Sequence, residues 1–333
     1  MISRRRLLIA LGASSLAAPF DSYAQPQIKV WRVGFLSARH VDFVDTDYVY
    51  GPFRQGMREL GYVEGKNLII EWRSAEGNND RLPGLASELV NLKVDVIVAG
   101  SGPTHRPAQK ATTIIPIVMV GAADPVGSGL VKSLAHPGGN STGIVNLNAD
   151  LGPKLLEMLR SMAPKVSRVA VLLNTNNSGQ SPALLILKNI QAAAQRTGVT
   201  ILSFDARTPQ EIENAFSQMA RQKAGAVIVT RGPFLNQQMR LISELAAKGR
   251  LPAIAGLKEY VEAGGLMSYG ASLTGQYRRA ATYVDKIFKG ANPGDLQVEQ
   301  PTLFELFING KTAKTLGLRI PQSLQIMAEK VIE

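Results

Sequence analysis

Three histidines, a short run of aspartates and two Gly-x-Gly turns are the residues of this 333-residue chain whose types and spacing suit chemistry. His40, His105 and His136 supply the imidazoles, and none sits in a Gly-x-Ser-x-Gly or His-Glu-x-x-His setting. Neither a serine-hydrolase nor a zinc-peptidase signature is present, which leaves very little for catalysis by these histidines. The chain has no cysteine, so thiol nucleophiles are excluded as well. His40 and His105 each follow an expected strand end and read as surface-loop histidines or as ligand contacts. His136, in "AHPGG", reads as the last residue of a helix, where the dipole favours it. Asp42, Asp45 and Asp47 share the loop "RHVDFVDTDY" with the Asp-x-Asp spacing of a metal site. No glycine and downstream glutamate complete a calcium loop, so solvated carboxylates are expected there, with no metal and no cofactor.

The glycine-rich turns raise the question of a nucleotide. Gly100-Ser101-Gly102 and Gly127-Ser128-Gly129 begin like a dinucleotide fingerprint, but His105 and Lys132 stand where its third glycine belongs. Turn geometry is the expected reading. Asp124 directly follows the apolar run "IPIVMVG" and precedes Pro125. It reads as the cap of a helix over 126–135 or as a side chain facing a crevice. No enzymatic constellation emerges.

These residues must be positioned by elements that alternate along most of the chain. "KVWRVGFLS", "NLIIEWRSA", "VDVIVAGSG" and "IPIVMVGAAD" read as strands, separated by amphipathic helical patterns such as "DRLPGLASELVNLK". The strand runs are short and nearly all apolar, as parallel strands covered on both faces are. After "STGIVNL" the rhythm restarts with "SRVAVLLNT", "VTILSFDA", "AGAVIVTRG" and "LPAIAG" as strands. The expected fold class is therefore α/β, with two doubly wound parallel-sheet lobes. The C-terminal remainder supplies "EAGGLMSYG", the helix "YRRAATYVDKIFKG" and a strand and short helix in "VEQPTLFELFINGKTAKTLGL". That is too little for a third domain. It is expected to complete the two sheets, which makes the chain cross between lobes several times and forms a hinge. The expected boundaries are 28–146 with 272–297 for the N-terminal lobe, and 147–271 with 298–333 for the C-terminal lobe. Within "ADPVGSGLVKSLAHPGGNSTG" the first half reads as a crevice loop and the second as the approach to the first crossing. On that reading Asp124→Ala weakens binding, whereas Gly139→Ala disturbs folding or closure.

The first 24 residues read as an export signal. Arg4–Arg6 precede an apolar stretch from Leu7 to Ala18, and Ser22-Tyr23-Ala24 offers a cleavage site before Gln25. Both Sec and twin-arginine routes fit "SRRRLL". With no cysteine for a lipid anchor or a disulfide, the mature chain is expected to be free in solution in a periplasm, not embedded in the membrane, and monomeric. The net charge is +11, and removing Arg4–Arg6 and Asp21 leaves +9. The basic residues are scattered and not interleaved with aromatics, so nucleic acid is not an expected partner. Steering of anionic ligands is.

"PAQKATTIIPIVMVGAADPVGSGLVKSLAHPGGNSTGI", "YVEAGGLMSYG" and "RRAATYVDKIFKGANPGDLQVEQPTLFELFINGKTAKTLGLRIPQSL" closely resemble ABC-transporter substrate-binding proteins. The particular group has the type I periplasmic-binding fold and includes tryptophan- and phenylalanine-binding members. The likeness runs from about residue 30 to Glu333. It implies extracytoplasmic capture of a small molecule between two closing lobes, without catalysis. It also implies delivery to an inner-membrane permease driven by a cytoplasmic ATPase. One departure stands out. Where many members carry an acidic residue after the third strand of the second lobe, this chain has Thr230-Arg231, which suits a carboxylate or another anion.

Ligand residues in such sheets lie just past the C-terminal strand ends. That rule selects Ser37, Gly100, Ser101, Gly102, Thr104 and Asp124 from the first lobe. From the second it selects Asn174, Thr175, Thr230, Arg231, Gly256 and Lys258, with Tyr269 near a crossing. The amides and hydroxyls of Gly100–Thr104 suit a carboxylate, as helix N-termini do. The expected ligand is small and carboxylate-bearing, of amino-acid or aromatic type. A ligand-sensing domain without transport and a periplasmic hydrolase are the rival readings.

Overall fold

Alternating apolar strands and one-faced helices fold here into two sheets, each covered on both sides. The computed structural model describes residues 29–38, 49–146, 148–175 and 182–333. His40, Asp42, Asp45 and Asp47 lie outside them. Trp31–Glu333 form one compact unit.

The first sheet contains β1 (Trp31–Ser37), β2 (Leu68–Ser74), β3 (Val96–Ala99), β4 (Ile117–Ala122) and β5 (Ser141–Val145). Their order is β2-β1-β3-β4-β5, and every pairing is parallel. Helices α1 (Tyr50–Glu59), α2 (Leu82–Asn91) and α3 (Gly102–Ala111) connect them. Period-2 alternation sends Val33 and Phe35 into one core with α1, while Leu36 joins a second core with α2 on the other face. At β5, Gly143 has φ +134° and a Cβ there would lie 2.1 Å from the Met119 carbonyl oxygen, so pairing with β4 requires glycine.

The second lobe begins with α4 (Asn148–Met162), then β6 (Arg168–Leu173), α5 (Pro182–Gln195), β7 (Thr200–Asp205) and α6 (Pro209–Arg221). It continues through β8 (Ala226–Val229), α7 (Pro233–Gln237), α8 (Met239–Lys248), β9 (Ala253–Ala255), α9 (Lys258–Glu262) and β10 (Met267–Ala271). Helix α6 shows why such segments form. Thr208 Oγ1 accepts the Glu211 amide at 3.2 Å, Pro209 opens the first turn, and Ile212, Ala215, Phe216 and Met219 share one buried stripe. Burying side chains of the size of Phe216 and Met219 contributes about 1.5–3 kcal/mol each.

From β10 the chain crosses to the first lobe as α10 (Leu273–Phe288), which packs on α1 and β4. Its buried stripe holds Tyr277, Ala281, Val284 and Phe288. The chain then returns as β11 (Phe304–Asn309), followed by α11 (Gly310–Thr315), α12 (Gln322–Met327) and β12 (Lys330–Ile332). The second sheet runs β12-β11-β10-β9-β8-β6-β7.

Two features differ from the sequence reading. The C-terminal strands all enter the second sheet, and the first gains only a bridge between Ile144 and Glu299. In addition, β11 is antiparallel to β10. The reason is topological: β10 leaves at its C-terminal end, and the chain re-enters by that same end after α10. The crossings also bond to one another. The Glu299 amide donates to the Gly143 carbonyl and the Val145 amide to the Glu299 carbonyl, both at 2.9 Å. The Ser272 amide donates to the Leu303 carbonyl at 3.1 Å. Arg279 grips the Glu299 carboxylate with two bonds of 2.6 and 2.7 Å and holds it below the usual carboxylate range.

A third correction concerns 126–135, which is a series of turns and not a helix. Gly127 and Gly129 lie within its first turn, where each glycine costs about 1 kcal/mol against alanine. His136 therefore ends no helix; its amide donates to Ser133 Oγ at 3.0 Å.

Candidate functional site

Within each sheet every candidate but Tyr269 lies at or beyond a C-terminal strand end, because neighbouring parallel strands end side by side. In the first lobe, β1, β3 and β4 are adjacent and release Ser37, the Gly100–Thr104 segment and Asp124 from the same edge. Ser37 is buried, and its carbonyl accepts the Ala75 amide at 2.9 Å. Gly100 donates its amide to the Leu36 carbonyl at 3.0 Å and accepts the Tyr277 hydroxyl. Ser101 caps α3. Thr104 Oγ1 accepts the Ser101 amide at 3.2 Å and donates to the Ser101 carbonyl at 2.6 Å, which fixes the turn. Ser101 Oγ is shielded from solvent and has no hydrogen-bond partner. Gly102 is exposed at the first residue of the helix. Asp124 is exposed, and its Oδ1 accepts the Gly127 amide at 2.8 Å, so it caps a turn.

In the second lobe the adjacent strands β6, β8, β9 and β10 supply the remainder. Asn174 is buried and donates its side-chain amide to the Ala206 carbonyl at 2.7 Å. Thr175 donates its hydroxyl and its amide to the two Asp205 oxygens at 2.7 and 2.9 Å. Burial alone would raise the Asp205 carboxyl; the Thr175 bonds and then Arg207 outweigh it and hold it below its ordinary value. Thr230 is fully buried, with its hydroxyl donated to the Leu172 carbonyl at 3.1 Å. The Arg231 stem runs across Gly256, with Cγ 2.4 Å from where a Cβ would stand. Lys258 opens α9. Tyr269 is in the middle of β10, its ring stacked on Phe304 with centroids 6.0 Å apart.

His105 occupies neither of its expected settings. It lies within α3 at 2% exposure, because the helix turns that side of its first two turns onto the sheet. Burial pushes its pKa down to about 4, against the pull of hydrogen bonds to the Val120 and Ala99 backbone.

The strand-end rule missed several groups. Tyr277 and Gln276 come from the first turns of α10, and the Gln276 side-chain amide is buried with both ends unpartnered. Asp205 follows no glycine signal, yet it orders Thr175. Ser268, Glu259 and Glu305 border a small cavity beside Gly256 and Lys258. Helical periodicity marks Tyr277 as inward-facing; nothing in the sequence marks the others. A larger cavity of about 570 Å³, between α4 and α5, contains none of the candidate residues. Among the described residues no group of three acidic or histidine side chains could hold a metal ion, and no helix is long and apolar enough to cross a membrane.

Two lobes, parallel strands ending in polar loops, and neighbouring crossings that bond to one another define a two-lobed solute-binding protein with the type I periplasmic-binding fold. The chain belongs to the family of ABC transporter substrate binding proteins, which matches residues 41–332. A tyrosine-binding protein of Clostridioides difficile (strain R20291) is 28% identical over 280 residues, covering 84% of this chain and 79% of the relative. A conserved domain protein of Vibrio cholerae superposes with a TM-score of 0.82 at 26% identity, over 91% of this chain and 100% of that one. An ABC domain of Streptococcus pneumoniae in complex with L-Trp superposes at 0.81 with 25% identity and the same coverage.

Proposed function

We propose that this protein is the extracytoplasmic solute receptor of an ABC import system and that its ligand is an amino acid, with an aromatic one the first to test. What supports the reading is that polar candidates follow the C-terminal strand ends of each of the two sheets, in a family whose relatives include tyrosine- and L-Trp-binding proteins. In this reading Ser101 Oγ and Arg231 take the carboxylate, since the Gly100, Ser101 and Thr104 amides are engaged within the fold, and Asn174, Thr175, Thr230 and Asp124 frame the crevice. The N-terminal lobe is 28–146 with 272–297 and the C-terminal lobe 147–271 with 298–333. The first 24 residues direct export to the periplasm and are removed, and the monomer delivers ligand to a permease without turning it over.

Ligand contacts made by both lobes at once bias an open–closed equilibrium toward the closed form. A thermal-shift panel of L-tyrosine, L-tryptophan, L-phenylalanine, aromatic acids and small anions tests the reading, since a ligand of the native state raises Tm with concentration. Small-angle scattering on the same samples should show compaction with a binder. Conversion of any bound compound to product would favour the hydrolase instead.

A further inference from the structure

Between α9 and the β10–β11 pair lies a cavity of about 20 Å³ bordered by Lys258, Glu259, Ser268, Gly270, Thr274 and Glu305. Strand register decides who faces it. Ser268 pairs with Phe307 and Gly270 with Glu305, so these four share one face of the sheet. Met267 and Tyr269 point the other way, into the core beneath α4 and α5. Gly270 is required here: a Cβ would lie 2.2 Å from the Gly256 carbonyl oxygen, which closes over the strand.

Two acceptors in this niche are unsatisfied. Ser268 is 1% exposed and its Oγ has no hydrogen-bond partner. Glu259 Oε1 is likewise shielded and unpartnered. Buried polar atoms left in this way cost free energy, and a carboxylate oxygen costs most. The volume suits one guest the size of a water molecule. Two carboxylates and one lysine border it, a formal charge of −1 among the bordering side chains, with the Arg231 stem crossing the neighbouring Gly256. A neutral water leaves that charge standing. An ammonium group has the same size, supplies several donors and brings the opposite charge.

We propose that this cavity recognises an ammonium headgroup, that of the bound amino acid, with Glu259 and Ser268 as its acceptors and Glu305 supplying field. The assignment rests on the substrate-binding reading, and it gives the ligand's amine a carboxylate partner in a chain that has Arg231 after β8.

The test uses the full chain with three probes: L-tyrosine, its des-amino analogue 3-(4-hydroxyphenyl)propanoate, and methylammonium chloride against sodium chloride at equal ionic strength. L-tyrosine should bind at least tenfold more tightly than the analogue, and Glu259→Gln and Ser268→Ala should each shrink that ratio severalfold. Methylammonium should raise the Tm of the wild-type chain more than sodium does, and this difference should vanish in both variants. If L-tyrosine and its analogue bind equally, or their ratio survives both variants, the niche is overturned while the substrate-binding reading stands. If neither binds but the methylammonium effect appears and depends on Glu259 and Ser268, the ammonium niche stands and the aromatic ligand falls. No binding and no methylammonium effect overturns the niche. Ser268→Ala removes a single oxygen, which keeps the test available if Glu259→Gln impairs folding.

Discussion

The Tyr277 hydroxyl donates a hydrogen bond to the carbonyl of Gly100, joining the first turns of α10 to the loop that follows β3. The two residues are 177 positions apart in sequence, and the bond is buried. Tyr277 enters the first lobe just after a crossing, while Gly100 opens the turn that Ser101 and Thr104 fix at the start of α3. One phenol thus ties a helix that follows a crossing to a loop of the candidate site.

Tyr277→Phe keeps the ring packed and leaves the Gly100 carbonyl buried without its donor. The loss should be about 1–3 kcal/mol. Urea unfolding should show a lower midpoint with an unchanged m-value, and an unchanged midpoint would mean that the bond carries no net stability.

His105 sets an acid limit. Its pKa is about 4 in the fold against 6.5 for a free histidine, so the folded state prefers the neutral ring. Stability is complete above pH 6.5, declines as pH falls from there toward 4, and is not reduced further by this group below that. The full effect is about 3 kcal/mol. Equilibrium unfolding at pH 7.5, 5.5 and 4.5 should show it, and His105→Gln should flatten that part of the profile.

Asp205 acts in a lower window. Its folded value is held below the ordinary 3.8, so its contribution is complete above that pH and is lost as pH falls through the folded value. At neutral pH its role is to order Thr175. Asp205→Ala should weaken binding of a thermal-shift hit about threefold to tenfold, some 0.7–1.4 kcal/mol. Titration calorimetry at pH 7 measures this directly.

Substitution separates two glycines of the approach to the first crossing. Gly143→Ala meets the Met119 carbonyl at a backbone angle that disfavours any side chain, and should cost about 3 kcal/mol or more. Gly139 has open space around its missing Cβ and no left-handed φ, so Gly139→Ala should change stability by less than about 0.5 kcal/mol. The sequence reading places the demand on Gly139; thermal melts of the two variants decide between them.

Much of the architecture is legible without coordinates. The apolar runs at β3, β4, β6 and β8 are too short for buried helices and lack the alternation of a one-sided sheet, which leaves parallel strands covered on both faces. Thr208-Pro209 and the stripe from Ile212 to Met219 mark a helix start and its inner face in the same way. The helix expected over 126–135 behind an Asp124 cap fails because Gly127 and Gly129 withhold the propensity to form it. His105 was legible as a residue near a strand end, but whether a helix turns it inward depends on where α3 starts.

Local patterning thus determines which segments become strands and helices and which loops gather at the strand ends, because periodicity and turn chemistry act over a few residues. Tertiary structure alone decides that β11 returns antiparallel, that Tyr277 reaches Gly100, and that Ser268, Gly270 and Glu305 share one face with Glu259 above them. Each of these depends on the path of a chain that leaves a lobe and comes back, and on the register in which distant strands then pair. No short window of sequence contains that information.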